Sequence, residues 1–276
     1  MSLKTGLVSY SSPFTLLDSS LSVVATFTLP SGKHLTVIDI SEKSELTAAQ
    51  KTLKAWKDTA HERLGIMRRE AQKKPSEKNK ALLKKDTDSV DQYLNIIGLY
   101  DQSLNSMIAK SEGNANKIHR IVKDEDRNIQ AMSSFAIEEG RVFLNLVITA
   151  PWNLKMHAPV LEEHRSLVTK GGGTALIRSG YETAQTLKKD ELRLKPMEGS
   201  YTYYKDRLMM NEDTTGEVFL SGFSRQHSGT FASRGIEFQL KQHNINYQTL
   251  QRSLFSGEGA SLLSNHSRCE FSVVIF

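Results

Sequence analysis

A chain of 276 residues with 38% hydrophobic content is long enough for one large domain or two small ones, each with its own core. Its single cysteine, Cys269, excludes an intramolecular disulfide and a zinc site built mainly on cysteines, and suits a reducing compartment. There is no basic-then-apolar leader and no window of roughly 18 apolar residues, so we expect a cytoplasmic protein without membrane contact.

The first 110 residues predict a β-hairpin followed by two helices. Leu21–Leu29 and His34–Ile40 have strand composition and flank a Pro-Ser-Gly turn. Apolar residues at helical spacing predict a helix over 45–69, which should pack on a sheet, and a second helix over 81–110. Between them, 73–79 is polar, contains proline and is predicted to be a loop or a break between the helices.

The formal charge of +5 is unevenly distributed. Residues 51–85 hold twelve Lys or Arg and four Asp or Glu. Such a surplus is typical of a solvated helix face, although it could also contact an acidic partner. Only Trp56 lies nearby as an aromatic residue that could stack on bases, so the sequence does not favour nucleic acid.

The middle of the chain predicts consecutive antiparallel strands. Lys117–Lys123, Ile129–Ile137 and Arg141–Ala150 are separated by short polar turns. The last segment is almost continuously apolar, which is typical of a central strand covered on both faces. Pro151 ends it, because proline cannot donate to a sheet ladder.

A glycine-rich turn follows this strand. Gly171, Gly172 and Gly173 precede Thr-Ala-Leu-Ile, so a turn without Cβ atoms leads into a helix, and a helix N-terminus beside bare amides can bind phosphate. A Walker loop would need Gly-Lys-Ser/Thr, whereas Lys170 comes before the glycines. The dinucleotide fingerprint is also absent, so ATPase and dehydrogenase functions are not indicated.

The order of these motifs resembles the GNAT superfamily of acyl-coenzyme A dependent N-acetyltransferases. The resemblance covers roughly His34 to Leu220, and it depends on several weak motifs in the right order. It consists of a central strand over 144–150, the glycine turn and its helix, a strand at 192–194 and a helix with Tyr203-Tyr204. The phrase Thr149-Ala150-Pro151-Trp152-Asn153 also resembles the end of the central strand in one bacterial branch.

This resemblance implies acetyl-coenzyme A as co-substrate and no metal. It implies that Tyr204 is the general acid that protonates the departing thiolate, whereas its structural alternative is a core tyrosine with a satisfied hydroxyl. Backbone N–H groups of the central strand would polarise the thioester carbonyl. The implied cofactor-binding residues are Leu146, Val147, Ile148, Lys170, Gly171, Gly172, Gly173, Thr174 and Ala175.

The base that deprotonates the incoming amine is left open. Glu138 and Glu139 precede the central strand and are the candidates, although an exposed surface role is the simpler interpretation of each. The insertion 154–168 contains two histidines and two further acids, but their spacing lacks the HExxH arrangement, and we expect a mobile or helical substrate-side loop rather than a metal site.

The predicted fold class is α/β (α+β), with a mixed, mostly antiparallel central sheet flanked by helices. Its predicted parts are an N-terminal β extension (1–33), a GNAT-like domain (34–222) and a C-terminal β extension (223–276). The predicted function is acetyl transfer to a small-molecule or protein amine. The alternative is a non-catalytic module of the same fold that contacts an acidic partner through 51–85, and a homo-oligomer is compatible with either.

Overall fold

The computed structural model describes residues 22–29, 31–109, 116–196, 200–208, 210–221 and 237–238. Within these residues the strands form one sheet in the order β7-β8-β6-β5-β4-β3-β2-β1-β9. The strands are β1 (Ser22–Thr28), β2 (His34–Ile40), β3 (Lys117–Lys123), β4 (Ile129–Ile137), β5 (Arg141–Thr149), β6 (Glu191–Leu194), β7 (Asn211–Glu212), β8 (Val218–Ser221) and β9 (Glu237–Phe238).

The sheet is mixed and mostly antiparallel, which confirms the predicted fold class. Among the strand pairs of the described sheet, only β5 and β6 run parallel. The parallel pair requires a crossover, and the chain between the two strands supplies it as a helix. Strand β1 pairs with β2 in this same sheet, so the proposed N-terminal extension contributes a strand to the main sheet.

The helices cover the two faces of the sheet. Helices α1 and α2 form an antiparallel pair on one face, and α3 lies on the other. Their bounds are α1 (Lys43–Lys73), α2 (Glu77–Ala109) and α3 (Gly172–Thr186).

Both long helices extend further than their apolar spacing predicted. Within 73–79 the structure has the break between helices that was one of the two predictions, and only 74–76 separate them. Pro75 interrupts the chain there, and the Ser76 hydroxyl accepts the backbone N–H of Asn79 at 3.1 Å, so α2 begins at Glu77 with a serine cap.

Each face of the sheet has its own core. On one face, α3 packs on alternating strand residues that include Val142, Leu144 and Val147 of β5. On the other face, α1 and α2 pack on residues that include Leu146 and Ile148. Strand β5 therefore contributes to both cores, as its nearly continuous apolar sequence predicted.

The insertion after β5 is fixed against α1 and α2. A 3-10 turn, Pro151–Asn153, leads into it, and a second, Glu162–Leu167, lies within residues 154–168, where a mobile or helical loop was predicted. Arg63 of α1 is 1% exposed and donates to backbone carbonyls of the insertion. These acceptors are the carbonyls of Pro151, Leu154, Ala158 and Pro159.

Asp86 of α2 holds the same segment from the second helix. Its carboxylate accepts the backbone N–H groups of His157 and Ala158, at 2.9 and 2.7 Å. Burial lowers the pKa of Arg63 from its usual value, while the charge of Asp86 opposes this shift. The insertion thus has an anchor on each helix.

Other predictions for the chain ends lie outside the described residues. The predicted C-terminal β extension (223–276) belongs to this group, and β9 is the part of it that is described. Within the described ranges, no helix combines the length and apolar character needed to cross a membrane.

Candidate active site

The central feature of the site is a β-bulge in β5. Ser134 of β4 pairs with Leu146 and the next residue, Phe135, pairs with Leu144, so Asn145 is an extra residue in the ladder. Asn145 and Leu146 consequently line the same cavity on the α2 face, although successive strand residues normally point to opposite faces. A bulge bends its strand and redirects side chains, and such features are common beside active sites.

Strand β5 continues beyond its parallel partner. The pairing with β6 covers residues 141–144 and ends at Leu144–Leu194, whereas β5 runs on from Asn145 to Thr149. Beyond Leu144, the edge of β5 on this side pairs with no strand of the described sheet, and Leu146, Val147 and Ile148 lie on this part of it.

The glycine turn lies at the start of α3, and two of its glycines are required for packing. Gly171 has φ +102°, a left-handed conformation that favours glycine. A Cβ on Gly172 would lie 3.0 Å from the Cβ of Ala131 in β4. These two residues therefore allow the turn to approach the sheet closely.

The N-terminus of α3 has free donor groups. The first helical bond runs from Ala175 N–H to the Gly171 carbonyl at 2.9 Å, and Gly171 provides no side chain to cap the helix. The N–H groups of Gly172, Gly173 and Thr174 are thus available to an anion. Lys170, directly before the turn, is exposed and adds a positive charge.

The end of β5 fastens the turn in place. Trp152 is buried, packs edge-on against Trp56 with 6.3 Å between ring centroids, and donates its Nε1–H to Gln130 Oε1 at 3.0 Å. The side chain of Asn153 donates to the same Gln130 oxygen at 2.9 Å and accepts the backbone N–H of Thr169 at 3.0 Å. The residues of the strand-end phrase thus position the chain that enters the glycine turn.

The tyrosine pair meets the first turn of α3. It lies in a π-helical segment, Tyr203–Arg207, and the rings of Tyr203 and Tyr204 contact each other edge-on at 5.7 Å. The hydroxyl of Tyr203 forms a short hydrogen bond with that of Thr174. Tyr203, which the sequence analysis did not assign to the site, therefore contacts the turn directly.

Tyr204 has an unusual environment for a polar side chain. It is 0% exposed, and its hydroxyl has no hydrogen-bond partner among the described residues. Tyr204 is thus a core residue, as the structural alternative predicted, but no described residue satisfies its hydroxyl. Burial raises the pKa of Tyr204 well above its usual value near 10, with a smaller contribution from Tyr203, so the phenol is protonated at neutral pH.

A cavity of about 810 Å³ lies across β5 from the tyrosines. Its floor is formed by β4 and β5 at the bulge, its roof by α2, and its remaining wall by β6 and the turn between β7 and β8. Its lining residues include Leu99, Gln102, Ser103, Ser134, Phe143, Asn145 and Leu146. A volume of this size is ordinary for a small-molecule site.

Charged side chains line one end of the cavity. Arg193 donates to Glu191 at 2.7 Å, to Glu217 at 3.1 Å and to Asp213. Hydrogen bonds from Thr215, followed by those from the Glu217 backbone and Arg193, lower the pKa of Asp213 to about 2. Asp213 therefore stays ionised at neutral pH.

The two candidate bases, Glu138 and Glu139, have different environments in the structure. Glu138 lines the cavity, is half-buried, and accepts the Arg141 Nε–H at 2.5 Å. Glu139 is exposed and does not line the cavity. Of the two, Glu138 is thus the one placed to meet a bound amine.

The histidines of the insertion serve separate contacts. His157 Nδ1 lies 2.8 Å from Asp86, while the ring of His164 packs against Trp152 with 5.2 Å between centroids. Within the described residues, no group of three His, Cys, Asp or Glu side chains could hold a metal ion.

Some site residues were absent from the prediction. Asn145 had a usable signal, because it is the one polar residue between Val142 and Ile148. Gln130 had none, since its role depends on a partner 22 residues away in the chain, whereas Tyr203 belonged to the predicted tyrosine pair but its contact with Thr174, 29 residues away, could not be predicted.

The arrangement fits a coenzyme A thioester. The N-terminus of α3, which has no side-chain cap, suits the pyrophosphate, and the unpaired edge of β5 suits the extended pantetheine and the thioester carbonyl, whereas the Tyr204 hydroxyl is buried and not exposed to a ligand in this structure. Two independent features, an uncapped helix start and a buried unpaired phenol, thus lie on one face of β5.

No protein-family model matches the chain, and no curated protein matches it. Several solved structures are similar to it in part, and two of them cover about two thirds of the chain. PaiA N-acetyltransferase from Thermoplasma acidophilum, in complex with coenzyme A, is 14% identical over 67% of this chain and 96% of that chain, with a TM-score of 0.33. A GNAT family acetyltransferase from Staphylococcus aureus Mu50 is 13% identical over 68% and 98%, with a TM-score of 0.29. At these values the likeness assigns neither a family nor an activity to this chain.

Proposed function

We propose that this protein is a GNAT-type acyltransferase that moves an acetyl group from acetyl-coenzyme A to a primary amine by direct nucleophilic attack. One observation carries the proposal. Strand β5, bulged at Asn145 and extending past β6, separates an uncapped helix start and Tyr204 on one face from the Glu138 cavity on the other. The two substrates would approach the opening between β5 and β6 from opposite faces.

The first task of the protein is to hold and polarise the thioester. The N–H groups of Gly172, Gly173 and Thr174 would bind the pyrophosphate, with Lys170 adding charge. Successive N–H groups of a strand point to opposite edges, so those among Leu146, Val147 and Ile148 that face the open edge of β5 would stabilise the oxyanion that develops as the amine attacks. Preorganised donors of this kind act without rearranging when the charge appears.

The second task is to move two protons. The attacking amine forms its bond to the acetyl carbon and loses a proton to Glu138, while the carbon–sulfur bond breaks and the thiolate receives a proton from Tyr204. The cavity around Glu138 accommodates a small molecule or a protein side chain that presents an amine.

Isothermal titration with acetyl-coenzyme A is the direct test of binding. We expect saturable heat with the intact protein, and a weaker affinity for the Lys170→Ala variant because one phosphate-side charge is lost. The exposed Lys188→Ala variant on the far side of α3 serves as the matched control. Absence of detectable heat at high micromolar ligand would sink the proposal.

Changing Glu138 to Gln is expected to lower kcat/KM for an accepted amine by about 100-fold, the lower end of the range for general base catalysis. Glutamine keeps the shape of the side chain but cannot accept the proton. The matched Glu139→Gln variant should behave like the unchanged protein. Turnover by each variant can be followed through the release of free thiol, and equal losses in both would remove Glu138 from the mechanism.

A further inference from the structure

The α1–α2 pair extends beyond the body of the protein. The last buried residue of α1 is Met67 and the first of α2 is Asp86, and no residue between them is buried. We call residues 68–85 the hairpin tip. At about 1.5 Å per residue its two helical arms project about 9 and 14 Å past the packed region. The sheet therefore does not require this length of helix.

The hairpin tip carries the entire positive surplus of the chain. It contains eight Lys or Arg and two Asp or Glu, a net charge of +6, whereas the whole chain has +5 and the remainder therefore −1. All eight cations are exposed, and they are Arg68, Arg69, Lys73, Lys74, Lys78, Lys80, Lys84 and Lys85. Within the described structure the tip has one side-chain ion pair, between Lys80 and Glu77 at 2.8 Å.

Such a concentration of charge disfavours the helices that carry it. Like charges one turn apart on a helix repel each other, and Lys80 and Lys84 are four residues apart. Packing offsets the repulsion only in part, because no side chain of the tip is fully buried, although Leu83 packs against the core below it. An anionic partner would remove the repulsion, and the projecting shape makes every cation accessible to one.

The composition of the tip indicates which kind of anion it fits. Stable protein interfaces need apolar or aromatic anchors at their centre, but 68–85 contains no aromatic residue and its two leucines, Leu82 and Leu83, are half-buried. Binding of single-stranded nucleic acid relies on aromatic stacking, which the tip cannot provide. Contacts to duplex phosphates need only Lys and Arg side chains.

We infer that the hairpin tip binds double-stranded nucleic acid through its phosphate backbone, without sequence preference. The scarcity of aromatic residues, which counted against nucleic acid in the sequence, excludes base stacking but leaves phosphate contacts unaffected. The tip lies apart from the proposed active-site cavity, since the α2 residues that line that cavity begin at Leu99. Binding would therefore tether the protein to a polyanion and leave the site open.

Fluorescence anisotropy with a labelled random-sequence duplex of about 20 base pairs, as DNA and as RNA, tests this inference. We expect dissociation constants of about 1–100 μM at physiological salt and a log–log salt dependence that falls by about 0.9 for each phosphate contacted on B-DNA. The tip variant K73Q/K74Q/K78Q/K84Q should bind the duplex at least about 10-fold more weakly and with a shallower salt slope.

The matched control is K43Q/K51Q/K54Q/K57Q, which removes the same charge from exposed positions of α1 nearer the sheet. It should retain the duplex affinity of the unchanged protein, and circular dichroism should show unchanged helix content in both variants. Equal losses in the two variants, no binding at about 1 mM protein, or tighter binding to phosphatidylserine vesicles than to the duplex would each overturn the inference.

Discussion

Replacing Arg63 with methionine is expected to lower the free energy of unfolding by about 3–5 kcal/mol. Methionine fills much of the same space but leaves the carbonyls of the insertion without their donor, and each buried acceptor without a partner costs about 1–3 kcal/mol. The negative charge of Asp86 would also lose its favourable electrostatic interaction with the Arg63 guanidinium. Urea denaturation followed by tryptophan fluorescence measures the difference, because Trp56 and Trp152 are both buried beside this segment.

Arg68→Met is the matched control for this prediction. It makes the same chemical change one and a half turns further along α1, where the side chain is exposed, so the expected change is within about 0.5 kcal/mol. The insertion leads into the glycine turn, and Arg63→Met should therefore also weaken acetyl-coenzyme A binding. Equal stability of the two variants would show that the insertion does not depend on its buried guanidinium.

The sheet could be predicted closely from the sequence because its strands alternate or remain apolar between short turns. The predicted bounds of β2, β3 and β4 agree with the structure, and β5 differs by one residue at its end. Hydrophobic periodicity marks buried residues only, which explains the error in the helices. Both helices continue into the hairpin tip. No residue is buried there, so apolar spacing cannot indicate the helix.

The site was predictable where a motif is local and not where it depends on distant contacts. The glycine turn and the tyrosine pair are each visible in a few consecutive residues. By contrast, the choice between Glu138 and Glu139 depends on which side chain turns toward α2 after β4 ends, and adjacent identical residues carry no information about that. The cavity is likewise formed by β3, β4, β5, β6 and α2 together, so it cannot be predicted from any single segment of the sequence.

The bulge at Asn145 shows how a local irregularity can define a site. A regular strand would place Asn145 and Leu146 on opposite faces and would keep β5 in register with β4. The extra residue instead turns both toward the cavity at the point where β6 pairing ends. The same residue thus accounts for the cavity floor and for the start of the separation between β5 and β6.

Changing Tyr204 to Phe is expected to lower kcat by about 100- to 1,000-fold without loss of stability. The phenol is the proposed proton donor to the thiolate, and phenylalanine removes that proton while it preserves the packed ring. Because the hydroxyl has no partner among the described residues, its removal should leave the free energy of unfolding unchanged or raise it by about 1 kcal/mol. Acetyl-coenzyme A affinity, measured by titration, should change little.

Tyr203→Phe should show the opposite pattern, and the pair of variants separates catalysis from structure. The Tyr203 hydroxyl bonds Thr174 at the start of α3, so its loss is expected to cost about 1 kcal/mol of stability. Turnover should fall by less than about 10-fold, since Tyr203 transfers no proton in the proposed mechanism. Full activity of Tyr204→Phe would exclude Tyr204 as the proton donor. A larger loss of turnover in Tyr203→Phe than in Tyr204→Phe would instead assign that role to Tyr203, the tyrosine that contacts α3.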